Sequence, residues 1–280
     1  MRFQVADELA LFAESVRTAI GAWHAPSEPE LGSWQDDRDD ELAERVAAAG
    51  WTELWAGDEL LGAVVAGGIE LGRVAAPVCL VDDATLGAPL CVDGRARYGR
   101  GAASLAVALP RGGLGLGPRS SEARPEVTLD GTGTVLVEVS AIGQLEEVAA
   151  AACWRAWNAA TLAYLAGLAQ RSLSLAVDHA RAREQFGAPL ASLPAIQSRL
   201  ADAALATDAL TLLAWAAVTS DAGLQEPELR WAGAACCDVT ASAHQVHGAL
   251  GFALETGLHV YHRRARSVAS WAGAACAAAR

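Results

Sequence analysis

Apolar residues recur at helical spacing over most of this chain, and the places where that period fails mark its organisation. Between Ala6 and Ala22 they fall at Leu9, Phe12, Ala13, Val16 and Ile20, with Asp7 and Glu8 in a first turn whose dipole favours acids. Asp39 to Ala49 repeats the pattern and ends at Gly50, a residue suited to the left-handed position after a helix. The run GDELLGAVVAGGIELGRVAAPVCL, Gly57 to Leu80, predicts a third helix bounded by Pro77. HAPSEPELGSWQ, His24 to Gln35, is broken by two prolines and predicts a loop.

From about Cys91 to Val139 the period changes. SLAVALP (Ser104 to Pro110), EVTLDG (Glu126 to Gly131) and TVLVEV (Thr134 to Val139) are short β-branched runs between glycine and proline turns, which predicts a small β segment. PRGGLGLGP, Pro110 to Pro118, has alternating glycines, but a phosphate-cradling loop needs a following helix, and SSEARPEV brings a proline and a strand instead. A surface loop is the expectation there. From Leu145 onward the helical period returns, to about Glu184, then over Pro194 to Ser220, Pro227 to His247 and Leu254 to about Trp271; four helices of this length build a bundle. Its alanine-rich helices carry more than one apolar face, which implies subunit contacts. The predicted fold is mainly α, with an N-terminal helical domain over 1–90, a reduced β domain over 91–143 and a C-terminal four-helix bundle over 144–280.

Composition narrows the function classes. With 280 residues, 52% of them apolar, and no run of 18 uninterrupted apolar residues, the expectation is a soluble protein with a large core and no membrane partner. MRFQVADELALF turns acidic within eight residues, so it is not a secretory signal and a cytoplasmic location is expected. The net charge of −12 argues against nucleic acid, although the basic residues, all arginine, can hold phosphates through paired donors. Cys79, Cys91, Cys153, Cys236, Cys237 and Cys276 form no C-x-x-C pair and predict buried thiols. His244 and His247 share a helix face, but no carboxylate or cysteine completes a metal site beside them, so no metal is expected.

The stretch ARAREQFGAPLASLPAIQSRLAD, Ala180 to Asp202, together with QVHGALGF, Gln245 to Phe252, closely resembles the C-terminal domain of the acyl-CoA dehydrogenases. GFALETGLHVYHRRARS, Gly251 to Ser267, resembles the tail of actinobacterial steroid-type subunits, many of which work as unlike pairs; the helix order ending in ELGRVAAP resembles the family's N-terminal domain. The resemblance implies that Arg183, Gln185 and Phe186 of the Arg-x-Gln-Phe-Gly turn, with Gln245 and Gly248 of the Gln-x-x-Gly turn, contact an FAD bound mainly by a neighbouring subunit. Read from the residues alone, Arg183 caps a helix and Phe186 fills core.

Four departures from the family follow. The glutamate base, commonly in a turn after the last Arg-rich helix, falls by counting on Ala272, and the alternative address falls on Trp157, so no catalytic residue is expected in this chain. The second glycine of the Gln-x-x-Gly-Gly turn is Ala249, and Leu193-Pro194 stands where the family has an aromatic residue or histidine followed by a flavin-contacting glutamine. The loops that hold the isoalloxazine ring are not recognisable. The resemblance therefore implies a base-lacking subunit whose full-length partner, in an α2β2 heterotetramer, supplies most of the FAD site and the glutamate, acting on an acyl-CoA and passing electrons to an electron-transfer flavoprotein. A flavin-free relative with a non-redox or structural role as a homo-oligomer stands beside it.

Overall fold

The computed structural model describes residues 6–23, 40–56, 60–97, 102–120, 124–125 and 134–280. Among them are eight helices: α1 (Asp7–Ile20), α2 (Asp40–Ala48), α3 (Leu61–Arg73), α4 (Cys79–Leu86), α5 (Glu147–Ala182), α6 (Pro194–Ala216), α7 (Glu226–His247) and α8 (Leu258–Ala278). Between α4 and α5 lie β1 (Leu90–Val92), β2 (Arg95–Arg97), β3 (Ser104–Leu109), β4 (Gly113–Pro118), β5 (Arg124–Pro125), β6 (Thr134–Leu136) and β7 (Gly143–Gln144). They form one sheet in the order β5-β6-β2-β1-β3-β4-β7, antiparallel except where β1 pairs with β3. The fold is the mainly α arrangement that the periodicity predicts.

One continuous core runs from the N-terminal helices through the sheet into the bundle, with Val16, Trp51, Leu80, Leu90, Trp157, Leu210 and Trp271 among its members. At its centre α3, buried along twelve of its thirteen residues, packs on α5. The two backbones approach at paired glycines: a Cβ on Gly167 would stand 2.2 Å from the Ile69 carbonyl oxygen, and one on Gly72 would stand 2.1 Å from that of Tyr164. Glu70, buried on α3, accepts from Arg17 Nε and Nη2 at 3.0 Å and from Arg73 Nη1 at 2.9 Å. Arg73 Nε donates to Gln170, which donates to Thr211, so a polar chain ties α1, α3, α5 and α6 together.

The expectations need three corrections. The single helix expected over Gly57 to Leu80 ends at Arg73; the chain turns through Ala75, at φ 52°, and a second helix, α4, starts only after Pro77. PRGGLGLGP is not a surface loop. It turns at Arg111 and Gly112 and becomes β4, paired with β3 along its whole length and with β7 on the other side. Its glycines are a packing requirement, since a Cβ on Gly115 or Gly117 would lie 2.4 Å from Ile142 and 2.7 Å from Val139. The last helix runs past the expected end at Trp271 to Ala278. The segments His24 to Gln35 and Glu126 to Gly131 lie outside the described residues.

The six cysteines are free thiols, and no group of three metal-ligating side chains occurs among the described residues. One helical stretch, Pro194–Thr219, is long and apolar enough to cross a membrane, with a third of its most apolar window buried. It packs on α5 and α7 as the second helix of the bundle, and leaves Leu205 and Leu212 facing outward.

Candidate functional site

The candidate flavin residues gather at one end of the bundle, where α5 and α7 finish side by side. α5 stops at Ala182, and Arg183 turns extended, its N–H closing the last turn on the His179 carbonyl at 2.8 Å. Two short strands, β8 (Glu184–Gln185) and β9 (Ala188–Pro189), then form a hairpin whose two-residue loop is Phe186-Gly187. Both loop residues have positive φ, 56° and 80°, as the twist of a two-residue hairpin demands. For phenylalanine this conformation is uncommon, and its ring gains no core packing in return, being 90% exposed. Phe186 does not fill core. Arg183, Gln185 and Phe186 together form an exposed ridge.

On α7 the helix ends at His247, and Gly248, at φ 61°, returns its N–H to the Gln245 carbonyl. The following turn, Gly248–Phe252, folds back on α7: His244 Nδ1 donates to the Gly251 carbonyl at 2.6 Å, and a Cβ on Gly251 would stand 2.6 Å from the His244 carbonyl. Gln245 and Gly248 are exposed, and an open face lies beyond Gly248, where a Cβ would meet nothing within 4 Å. Phe252 stands 83% exposed beside them. The two ends are joined by His179 of α5 and His247 of α7, stacked with ring centroids 4.2 Å apart. Beneath the stack Ala176, Ala180, Leu190, Ala243, Val246 and Leu258 form a small separate core. His244 and His247 are each bonded to a main-chain carbonyl.

The expected base positions lie elsewhere, in the interior. Trp157 is buried in α5 at 1% exposure, and its indole N–H donates to Asp82 Oδ1 at 2.8 Å. Asp82, fully buried in α4, also accepts the Leu90 N–H on Oδ2 at 3.1 Å. Burial pushes its carboxyl above the usual carboxylate range, opposed by the nearby Arg97 guanidinium and by these two donors. Arg97, itself 2% exposed on β2, lies with Cζ 4.8 Å from the ring centre of Trp271. Ala272 follows Trp271 in the middle of α8 at 1% exposure, where the expectation placed a turn; the helix runs through it unbroken. The Trp157–Asp82 hydrogen bond and the Arg97–Trp271 cation–π contact, with the Asp82 and Arg97 charges near enough to attract, thus occupy the interior beside the two positions. Neither Asp82 nor Arg97 was foreseen; an acidic pair inside the apolar run CLVDDATL was the available signal. His179 was also missed.

Residues 155–275 match the model of the acyl-CoA dehydrogenase C-terminal domain. The 3-sulfinopropanoyl-CoA desulfinase of Paraburkholderia xenovorans is 38% identical over 116 residues, covering 39% of this chain and 29% of that protein, so the match spans under a third of the relative's length. Over almost the whole chain the fold matches solved structures. The Tcur3481-Tcur3483 steroid ACAD is covered to 96%, with 98% of this chain, at a TM-score of 0.78 and 22% identity. The ChsE4-ChsE5 complex from Mycobacterium tuberculosis matches 99% of this chain and 96% of the other, at a TM-score of 0.70 and 18% identity.

The protein has the helix–sheet–helix-bundle fold of the acyl-CoA dehydrogenases. The family likeness in sequence is confined to residues 155–275, which match the acyl-CoA dehydrogenase C-terminal domain.

The residues present suit one part of an FAD. The exposed Arg183 fork, the Gln185 amide and the open backbone at Gly248 are the donor types that a pyrophosphate requires, and all three lie on the surface.

Proposed function

We propose that this chain is the non-catalytic subunit of a heteromeric FAD-dependent acyl-CoA dehydrogenase. The observation that carries the proposal is the closed interior. Where the family's two base addresses fall, this chain has Trp157 and Ala272, each 1% exposed, with a buried Asp82 and Arg97 between them. A general base works only when the substrate's α-carbon lies within reach of it, and a packed core leaves no room for an acyl chain.

In this reading the exposed ridge is the working part. Arg183 and Gln185 hold the pyrophosphate of an FAD seated mainly in the partner, the Gln245–Gly248 turn meets its adenosine side, and Phe186 and Phe252 pack against the partner's surface. Bound flavin supplies the hydride acceptor for α,β-desaturation of an acyl-CoA thioester, and the partner supplies the glutamate. An α2β2 assembly in the cytoplasm, acting on a steroid-derived acyl-CoA and passing electrons to an electron-transfer flavoprotein, completes the proposal. The fold-level likeness to a steroid ACAD and to a two-protein complex supports it.

A second reading, a flavin-free protein with a non-redox or structural role, is favoured by one fact: one relative, 38% identical over 116 residues, is a desulfinase by name. Co-expression with candidate full-length dehydrogenase subunits, followed by gel filtration, separates the two. A yellow complex of unlike chains supports the subunit; a colourless oligomer of this chain alone, taking up no partner, supports the alternative.

A further inference from the structure

Two rows of histidines lie directly behind the exposed ridge. His179 stacks on His247, and His262 of α8 meets His244 edge-on with ring centroids 5.5 Å apart, its Nδ1 2.9 Å from Thr240 Oγ1. His179 is four residues before Arg183, and His247 is next to Gly248 and two residues after Gln245. Each belongs to the last turn of its helix, where the carbonyl dipoles favour a protonated ring.

The charged groups around the stack oppose that protonation. His179 is held below the usual histidine range by burial, by His247 and by Arg183. His262 is held down by burial, by His244 and by Arg266. His259 lies half-buried in the first turn of α8. The carboxylates on the adjoining segments, Asp178, Glu184 and Glu255, are exposed. The pair is therefore short of negative charge, and a diphosphate against Arg183 and Gly248 would supply it one helical turn away.

We propose that the His179–His247 stack is the proton-accepting part of the phosphate site: a pyrophosphate diester binds together with one proton taken from solvent, which the stacked pair holds. This rests on the reading of Arg183, Gln185, Gln245 and Gly248 as flavin contacts. Binding and protonation are then coupled, each strengthening the other by the same factor.

The test uses the full chain and ADP-ribose, whose pyrophosphate diester has no group of its own titrating near neutrality. Imidazole proton resonances are followed from pH 5 to 8 with and without saturating ADP-ribose. The proposal predicts that the titration of His179 or His247 moves up by about one unit, with ADP-ribose affinity rising roughly tenfold as pH falls through that titration. In Arg183→Ala the ligand-induced shift disappears. In a His179→Phe/His247→Phe double variant, which keeps two stacked rings, ADP-ribose affinity is the same at pH 6 and pH 8. Unmoved histidine titrations at saturation, a pH dependence that persists in the double variant, or no interaction with ADP-ribose at any pH would each overturn it. The subunit reading is judged separately, by the flavin content of the complex of unlike chains.

Discussion

Replacing Trp157 by phenylalanine tests the closed interior directly. The substitution keeps an aromatic ring in the core and removes a single donor, the indole N–H that reaches Asp82 at 2.8 Å. A hydrogen bond to a charged, fully buried acceptor is worth about 1.5 to 3 kcal/mol, and the smaller ring adds roughly 1 kcal/mol for the space left behind. The expected loss is about 2.5 to 4 kcal/mol, a fall in melting temperature of roughly 5 to 15 °C for a chain of this size. The pH dependence has a definite sign. Asp82 titrates above its ordinary value in the folded protein, so between those two points the folded state binds more protons than the unfolded one, and stability rises as pH falls. Removing the Trp157 donor widens that window, so the gap between wild type and Trp157→Phe narrows as pH falls through the folded-state titration of Asp82. Urea and thermal melts followed by circular dichroism at pH 5 and pH 8 measure it, and an Asp82→Asn/Trp157→Phe cycle measures the coupling. A loss below about 1 kcal/mol, a gap that ignores pH, or additive single substitutions would refute the argument.

Three further outcomes follow from the same geometry. Arg183→Ala should weaken FAD retention in the assembled complex by roughly tenfold to a hundredfold, one charge-assisted contact, with unchanged helicity because the residue is exposed; a parallel loss of helix content and solubility would instead show a capping role. Ala272→Glu should give no acyl-CoA turnover in the isolated chain and should lower its melting temperature, since it places a carboxylate at a 1% exposed position inside α8; turnover would show a complete site within this chain. Gly167→Ala should cost at least about 2 kcal/mol in denaturant melts, because its methyl group would stand 2.2 Å from the Ile69 carbonyl oxygen at the α3–α5 crossing; a neutral result would show that the helices separate freely there.

The bundle was legible in the sequence because its helices are long, periodic and bounded by Pro194, Pro227 and the Gly248 turn. The ridge was not: its residues were singled out only through the family resemblance, and the residues alone put Phe186 in the core, whereas it stands 90% exposed in a two-residue turn. What escaped was set by tertiary contact. Glycines at 113, 115 and 117 look like a loop until β7 and its neighbours are placed against them, where only glycine fits. The break after Arg73 precedes its proline by four residues and is fixed by packing, with the Tyr164 and Tyr261 hydroxyls taking the carbonyls of Ala76 and Arg73. Trp157 as a sequence position was only a missing glutamate; its partner Asp82 is 75 residues away, and nothing local connects them.

The central claim is that this chain lends contacts to a flavin it does not itself hold. Flavin absorbance measured against chain count, in the purified complex of unlike subunits and in the lone chain, tests it most directly. The account predicts fewer flavins than chains in the complex and a colourless lone chain. One flavin per chain, or stoichiometric FAD retained by the lone chain through gel filtration, would contradict it.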